Sequence, residues 1–381
     1  MAKHWITKDL GLFRGTVQLE HFRLMPQFYP VRVLRRSDQP HTLETRGSYA
    51  LPAHYSFAGE TCDTQRFLAD TDTVGLLVSH RGQRVHEAYW HGLDASVQWP
   101  LWSVGKSFVG TLVGIALADG VISDLDAPIQ AYVPKLSGSA YEGASIRSVL
   151  QMSSGARWNE NYADPESDLR RRAAAVGGGS FDAVAASCVR ENEPGTSLRY
   201  NTTDTHVLGM LLRAAYRTPL IELLRSKLWQ PLGMQHDAFW RIDGERVEDA
   251  GAGLHATLGD ACRLGELYLN GGRSQGAQIV PEAWVSMATR AQGSHVEPGV
   301  LMPISELGYG YHWWLPGQPG EFAAIGVYNQ YVYVDTQRSV VVAKFSANRN
   351  WGLSYAEPGY RDHEHMALFR ALAATAAASS N

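Results

Sequence analysis

Lysine is scarce in this 381-residue chain: Lys3, Lys8, Lys106, Lys135, Lys227 and Lys344 are all of it, against many scattered arginines. No basic run exists and the net charge is −4, which excludes the electrostatic footprint of a nucleic-acid-binding protein. Cysteine is scarcer still. Cys62, Cys188 and Cys262 are odd in number and widely spaced, so neither a disulfide framework nor a zinc site is signalled. No apolar run approaches the ~18 residues of a membrane helix. The opening MAKHWITKDLGLFRG lacks the apolar core of a signal peptide. The expectation is a cytoplasmic protein with reduced thiols and no membrane or nucleic-acid partner. HExxH, GxSxG and the dinucleotide glycine pattern are also missing, and no metal or cofactor is implied.

What is present is an ordinary globular composition, 45% hydrophobic and 19% charged, enough for one large domain or two lobes. Residues 1–60 carry scattered aromatics (Phe13, Phe22, Phe28, Tyr29) and read as an arm packing on the body. Thr73–Ser79 and Arg84–Trp90 read as a hairpin around Gly82. Between 121 and 244 the pattern is helices and loops, and this segment is expected to be an all-helical lobe with a loop over the active site. Helices are expected at Leu258–Leu269 and Pro281–Arg290. Strands return at Tyr309–Leu315, Phe322–Ile325, Gln330–Asp335 and Ser339–Phe345, an antiparallel meander closed by a helix over His363–Ala378. The reading is an α/β fold, an antiparallel sheet flanked by helices. The body is built from 61–120 and 245–381, and the helical lobe is inserted into it.

The stretch WPLWSVGKSFVGTLVGIALADG, Trp99 to Gly120, carries the chemistry. Ser103 and Lys106 lie three apart at the start of an apolar helical run, so they share a face. A serine there has a base one turn away and a helix N-terminus beside its developing oxyanion. Most Ser-x-x-Lys matches are solvated helix faces. Here a scarce lysine sits in an apolar helix, where a desolvated ammonium can lose its proton and a guanidinium cannot. The GKS within this stretch is not a phosphate loop, because Pro100 stands where that pattern needs glycine.

Downstream, PGTSLRYNTTDTHVLG places Tyr200 after a turn and before a helix that Thr202 or Thr203 would cap. A single tyrosine is usually core packing. Beside a lysine it can be held partly as phenolate or can shuttle a proton. Trp102, Trp158, Tyr162, Trp313, Trp314 and Tyr328 are likewise usually core. Tyr162 lies in a polar loop and Trp102 precedes the serine, so these two are candidates to line an acyl pocket. His363 and His365 face different sides of a helix and read as a solvated face.

These pieces together resemble the serine β-lactamase and penicillin-binding-protein superfamily, in particular its class C branch and its esterase and 6-aminohexanoate-dimer hydrolase relatives. The resemblance runs from about residue 70 to the C-terminus. It rests on Ser103-Val104-Gly105-Lys106, Met152-Ser153-Ser154-Gly155 with Trp158, and Pro194-Gly195-Thr196 leading to Tyr200-Asn201-Thr202. It continues through Gly253-Leu254-His255-Ala256-Thr257, the Gly308–Trp314 run and Gly326-Val327-Tyr328-Asn329-Gln330. It implies Ser103 as the acylated nucleophile, Lys106 as its base and Tyr200 as proton shuttle. It also implies an oxyanion hole from the backbone N–H groups of Ser103 and Val327. Substrate contacts are expected from Trp102, Trp158, Tyr162, Thr202, His255, Ala324, Ile325 and Tyr328.

Three departures bear on substrate. Ala324-Ile325-Gly326 stands where β-lactamases carry Lys-Thr-Gly, so a carboxylate-binding cation is missing. His255 replaces an asparagine common in the dimer hydrolases, and Asn329 replaces a frequent glycine. The resulting expectation is a serine hydrolase for a small ester or amide. A β-lactamase, a D-alanyl peptidase and a non-catalytic ligand-binding relative are the alternatives.

Overall fold

Strict alternation of side chains builds the main sheet. The computed structural model describes residues 17–46, 49–162, 164–301, 305–352 and 360–379. The strands Gly308–Tyr309, Trp314–Leu315, Glu321–Gly326, Gln330–Asp335 and Val340–Ser346 follow one another as an antiparallel meander. Thr73–His80 and then Gln83–Tyr89 extend it beside Val340–Ser346 to seven strands. Val332, Val334, Val341 and Ala343 pack on one face, and Tyr331, Tyr333, Val340 and Val342 on the other. The helix Leu258–Leu269 covers the first face and the C-terminal helix Asp362–Ala378 the second. Contact on the first face is close: a Cβ on Gly265 would come within 2.5 Å of Val341 and 2.8 Å of Val332. Burial on both sides also corrects the reading of His365, which is fully buried and stacked on Tyr331 at 4.5 Å. It is not part of a solvated face.

A second, four-stranded antiparallel sheet carries the site. Its order is Val31–Leu34, Ala238–Arg241, Leu254–Ala256 and Trp99–Pro100. The arm therefore adds a strand to the body. Its helix Gln18–Phe28 sets Phe22 against Trp99 and Trp102 (both 5.6 Å) and Tyr328 (4.9 Å). Residues 1–16, with Phe13 and the opening segment, lie outside the described residues. Ala238–Arg241 falls inside the segment expected to be all helical. Four residues show no period, and their partners are distant in sequence.

The remainder of that segment is helical, with Ile146–Leu150, Asp168–Ala173, Phe181–Ala186 and Thr202–Tyr216 each capped by a side chain. Ser145, Ser167, Ser180 and Asn201 accept the N-terminal amide hydrogen bonds, each worth ~1 kcal/mol. The cap of the Tyr200 helix is thus Asn201, not Thr202 or Thr203. The single strand expected over Tyr309–Leu315 is two short strands, turned where Gly310 N–H donates to the Trp313 carbonyl (2.8 Å) and His312 takes φ 62°.

Candidate active site

Trp99–Pro100 leads into a 3-10 turn, Trp102–Val104, and then the helix Gly105–Ala118. Every residue from Gly105 to Ala116 is buried, so this helix runs through the core. Trp102 takes φ 48°, a left-handed backbone that costs energy in a bulky residue. Packing against Phe22 and Tyr328 holds it there and presents Ser103 at the helix entrance.

Lys106 Nζ lies 2.8 Å from Ser103 Oγ and donates to the Gly251 carbonyl at 2.6 Å. Burial pushes the Lys106 ammonium down to about 8; Glu160 opposes this and Arg172 assists it. The neutral amine is therefore accessible near physiological pH, with a hydrogen for Gly251 and a lone pair for Ser103. The Tyr200 ring stacks on Trp314 at 5.2 Å and lies 5.2 Å from Lys106 Nζ, and Ser103 acts on its phenol. Burial, with Glu160 adding to it, raises Tyr200 well above the ordinary tyrosine value. This corrects the phenolate alternative: Tyr200 is a neutral phenol, able to give and take a proton. On the far side, the end of the strand Glu321–Gly326 abuts the serine turn. A Cβ on Gly326 would stand 2.6 Å from the Leu101 carbonyl oxygen and 3.2 Å from Ser103 N. Val327 is the next residue, so its peptide borders the same point.

Ser103 and Tyr200 open into a cleft of about 650 Å³ whose walls include Trp158, Tyr162, Trp314, Ile325 and Val327.

The family model for Beta-lactamase matches residues 64–366. The chain belongs to the β-lactamase family. It is 29% identical over 304 residues to a 6-aminohexanoate-dimer hydrolase of Paenarthrobacter ureafaciens, covering 76% of this chain and 77% of that one. A Bacillus anthracis protein assigned as a 6-aminohexanoate-dimer hydrolase superposes with TM-score 0.83 at 21% identity, covering 96% of this chain and 95% of the other. EstCE1, a hydrolase with promiscuous acyltransferase activity, gives TM-score 0.64 at 17% identity, covering 81% and 96%. At these identities the structural matches carry the fold. Among the described residues, no helix is long and apolar enough to cross a membrane.

Within this β-lactamase-family fold, several residues expected at the substrate sit elsewhere. His255 is 1% exposed in the strand Leu254–Ala256; its Nδ1–H donates to the Gly253 carbonyl (3.1 Å), and burial lowers it to about 3, a neutral core histidine. Ala324 points into the core, because alternation along its strand gives the cleft wall to Ile325. Tyr328 is buried between Phe22, Trp102 and Trp351. Trp102 and Thr202 line a small side cavity of about 50 Å³ next to Ser103. Asn329 takes φ 66°, the left-handed geometry that explains glycine's frequency there. Its amide nitrogen donates to Tyr331 Oη (2.9 Å) and the Tyr360 carbonyl (2.7 Å).

Two parts of the site carry no local motif. Glu160 gathers Trp158, Tyr162 and Thr202: Thr202 Oγ1 donates to it at 2.5 Å, Thr202 N at 3.2 Å and Tyr162 Oη at 3.1 Å, and Trp158 Nε1 donates as well. Asp249, fully buried, takes Arg241 (2.5 Å) and Arg172 together and accepts Gly251 N–H at 3.2 Å. Burial alone would raise Asp249, but the two guanidinium groups hold it well below the usual carboxylate range. The triad thus pins the backbone N–H of Gly251, the residue whose carbonyl accepts from Lys106.

Proposed function

We propose that this protein is a serine hydrolase that cleaves small neutral esters or amides through an acyl-enzyme on Ser103. Neutral Lys106 takes the Ser103 proton as Oγ attacks the carbonyl carbon. The oxyanion is held by the N–H groups of Ser103 and Val327, and Tyr200 relays the proton to the leaving oxygen or nitrogen. Water then releases the acid by the reverse use of the same groups. The observation that carries this reading is the hydrogen-bonded Ser103–Lys106 pair with the Tyr200 ring 5.2 Å from the lysine amine, beside an aromatic-walled cleft that Ser103 and Tyr200 line.

An amidase for aminohexanoate-type amides is the second reading. It is favoured by the 29% identity to the Paenarthrobacter enzyme and by Glu160 and Asp362 in the cleft wall, where a substrate ammonium would find a carboxylate. Cys62, Cys188 and Cys262 are free thiols, which supports placing the enzyme in the cytoplasm. The test is mass spectrometry of the protein with a slow p-nitrophenyl ester. The acyl group is expected on the peptide carrying Ser103, and Ser103→Ala is expected to lose turnover by a factor on the order of 10³ or more. An adduct on another residue overturns the assignment.

A further inference from the structure

Beside the serine turn, Trp102 (φ 48°), Tyr328 (φ 62°) and Asn329 (φ 66°) take left-handed backbone. Trp102 precedes Ser103, and Tyr328 follows Val327. Bulky residues resist this conformation. Tyr328 and Asn329 adopt it in succession, in a turn geometry that favours asparagine followed by glycine. Such strain persists only where the surroundings over-determine it.

The next side chain supplies that restraint. Gln330 stands opposite Gly326 in the strand register and is fully buried. Its Nε2 donates to the carbonyls of Val327 (3.1 Å), Tyr328 (3.1 Å) and Ser346 (2.7 Å). Its Oε1 accepts from Trp99 Nε1 (3.1 Å) and Ser346 N (3.0 Å). Only an amide fits this pattern, with N–H hydrogens among carbonyls at one end and an acceptor between N–H donors at the other. Ser346 belongs to the main sheet. Trp99 belongs to the second sheet, on the strand that leads into the serine turn. Gln330 therefore joins the two sheets at the point where the strand end meets that turn. It does not line the cleft.

We propose that Gln330 is a positioning residue for the oxyanion site. It ties the turn after Val327 to the strand leading to Ser103, and so sets where the Ser103 and Val327 N–H groups stand relative to one another. The proposal rests on the acyl-enzyme reading of Ser103.

Gln330→Glu tests it. The variant keeps the length and the acceptor for Trp99 and Ser346 but, when ionised, has no hydrogen to give the three carbonyls. The readouts are hydrolysis of p-nitrophenyl acetate and inhibition by phenylboronic acid, whose tetrahedral adduct on a serine sets a boron hydroxyl where the oxyanion stands. The expected result is a fall in kcat on the order of 10²-fold, KM within about threefold of wild type, and boronate affinity lost alongside kcat. Tyr55→Phe removes a hydrogen bond to Glu364 in the core on the other face of the main sheet. It is expected to lower Tm and leave kcat and boronate affinity unchanged, which separates lost stability from lost position. Trp99→Phe cuts the tie from its other end with Gln330 intact, and decides the matter if Gln330→Glu does not fold. It is expected to lower kcat about tenfold, again with boronate affinity. The proposal is overturned if the folded variant keeps kcat within about threefold of wild type, or if only KM changes and boronate affinity does not. A wild type that is not acylated on Ser103 would overturn the acyl-enzyme reading, and this proposal with it.

Discussion

Lys106 is held more tightly by the Gly251 carbonyl, at 2.6 Å, than by Ser103, at 2.8 Å. The carbonyl can only accept, so one hydrogen of the amine is fixed on it. In the neutral amine the lone pair is left for the serine proton. A buried triad, Arg172–Asp249–Arg241, holds the N–H of the same residue, Gly251, through Asp249.

As the proposed base, Lys106 must be neutral to act, so activity is expected to depend on pH with a definite sign. Since burial lowers Lys106 to about 8, kcat/KM is expected to rise with pH through about 8. At pH 6 it should fall roughly 100-fold below the plateau. Tyr200, raised far above its ordinary value, is expected to add no descending limb below pH 10. Lys106→Arg should be as inactive as Lys106→Ala, because guanidinium stays charged. An arginine variant retaining a tenth of the activity would mean that Lys106 supplies charge and not basicity.

Gly326→Ala tests the abutment of strand end and serine turn. The new methyl would stand 2.6 Å from the Leu101 carbonyl oxygen and 3.2 Å from Ser103 N, so backbone must move. The expected result is a loss in kcat on the order of 10² with Tm lowered by only a few degrees. Unchanged kcat in the folded variant would show that the N–H groups flanking this contact do not hold the oxyanion.

Asp204 sets a pH dependence of stability. It is fully buried, and Oδ1 accepts from Ser154 (2.8 Å), Asn201 (2.8 Å) and Tyr141 (2.9 Å), while Oδ2 has no partner. Burial raises it to about 7, with the Ser154 and Tyr141 bonds opposing. A raised carboxylate contributes stability that is complete below its unfolded value and is lost as pH rises through about 7. Asp204→Asn keeps an acceptor for the three donors and cannot ionise. It should leave Tm nearly unchanged at pH 4 and raise stability at pH 8 by up to a few kcal/mol. Identical Tm–pH curves for the two proteins would refute this.

Substrate charge is expected to discriminate strongly. The cleft wall offers Ile325 and Val327 beside the serine, and the arginine lining it, Arg199, is occupied by Glu191 (2.5 Å) and the Trp158 carbonyl (3.3 Å). A lactam carboxylate would lose water there without a replacement. Short neutral p-nitrophenyl esters should exceed nitrocefin in kcat/KM by about 10²-fold or more. Ile325→Lys should narrow that gap. A wild type that prefers nitrocefin, or a lysine variant in which the gap widens, would defeat the carboxylate argument.

Local spacing alone placed Ser103 and Lys106 on one face, because helical geometry fixes what lies one turn away. Apolar runs separated by turns, and helical spacing, likewise gave strands at Gln330–Asp335 and Ser339–Phe345, the second found at Val340–Ser346, and the helix Leu258–Leu269. Tyr200 depended on a family resemblance, since nothing within its own stretch separates a proton relay from a packed tyrosine. What only the tertiary structure decided are the long-range closures. Ala238–Arg241 became a strand by pairing with Val31–Leu34 and Leu254–Ala256. Asp249 acquired its role by meeting Arg172, and Lys106 by meeting Gly251. Which side of a strand reaches the cleft was likewise decided there: register gave the wall to Ile325 and sent Ala324 and His255 into the core. Sequence patterns encode which face is apolar. Which apolar face meets solvent, cleft or core depends on neighbours far along the chain.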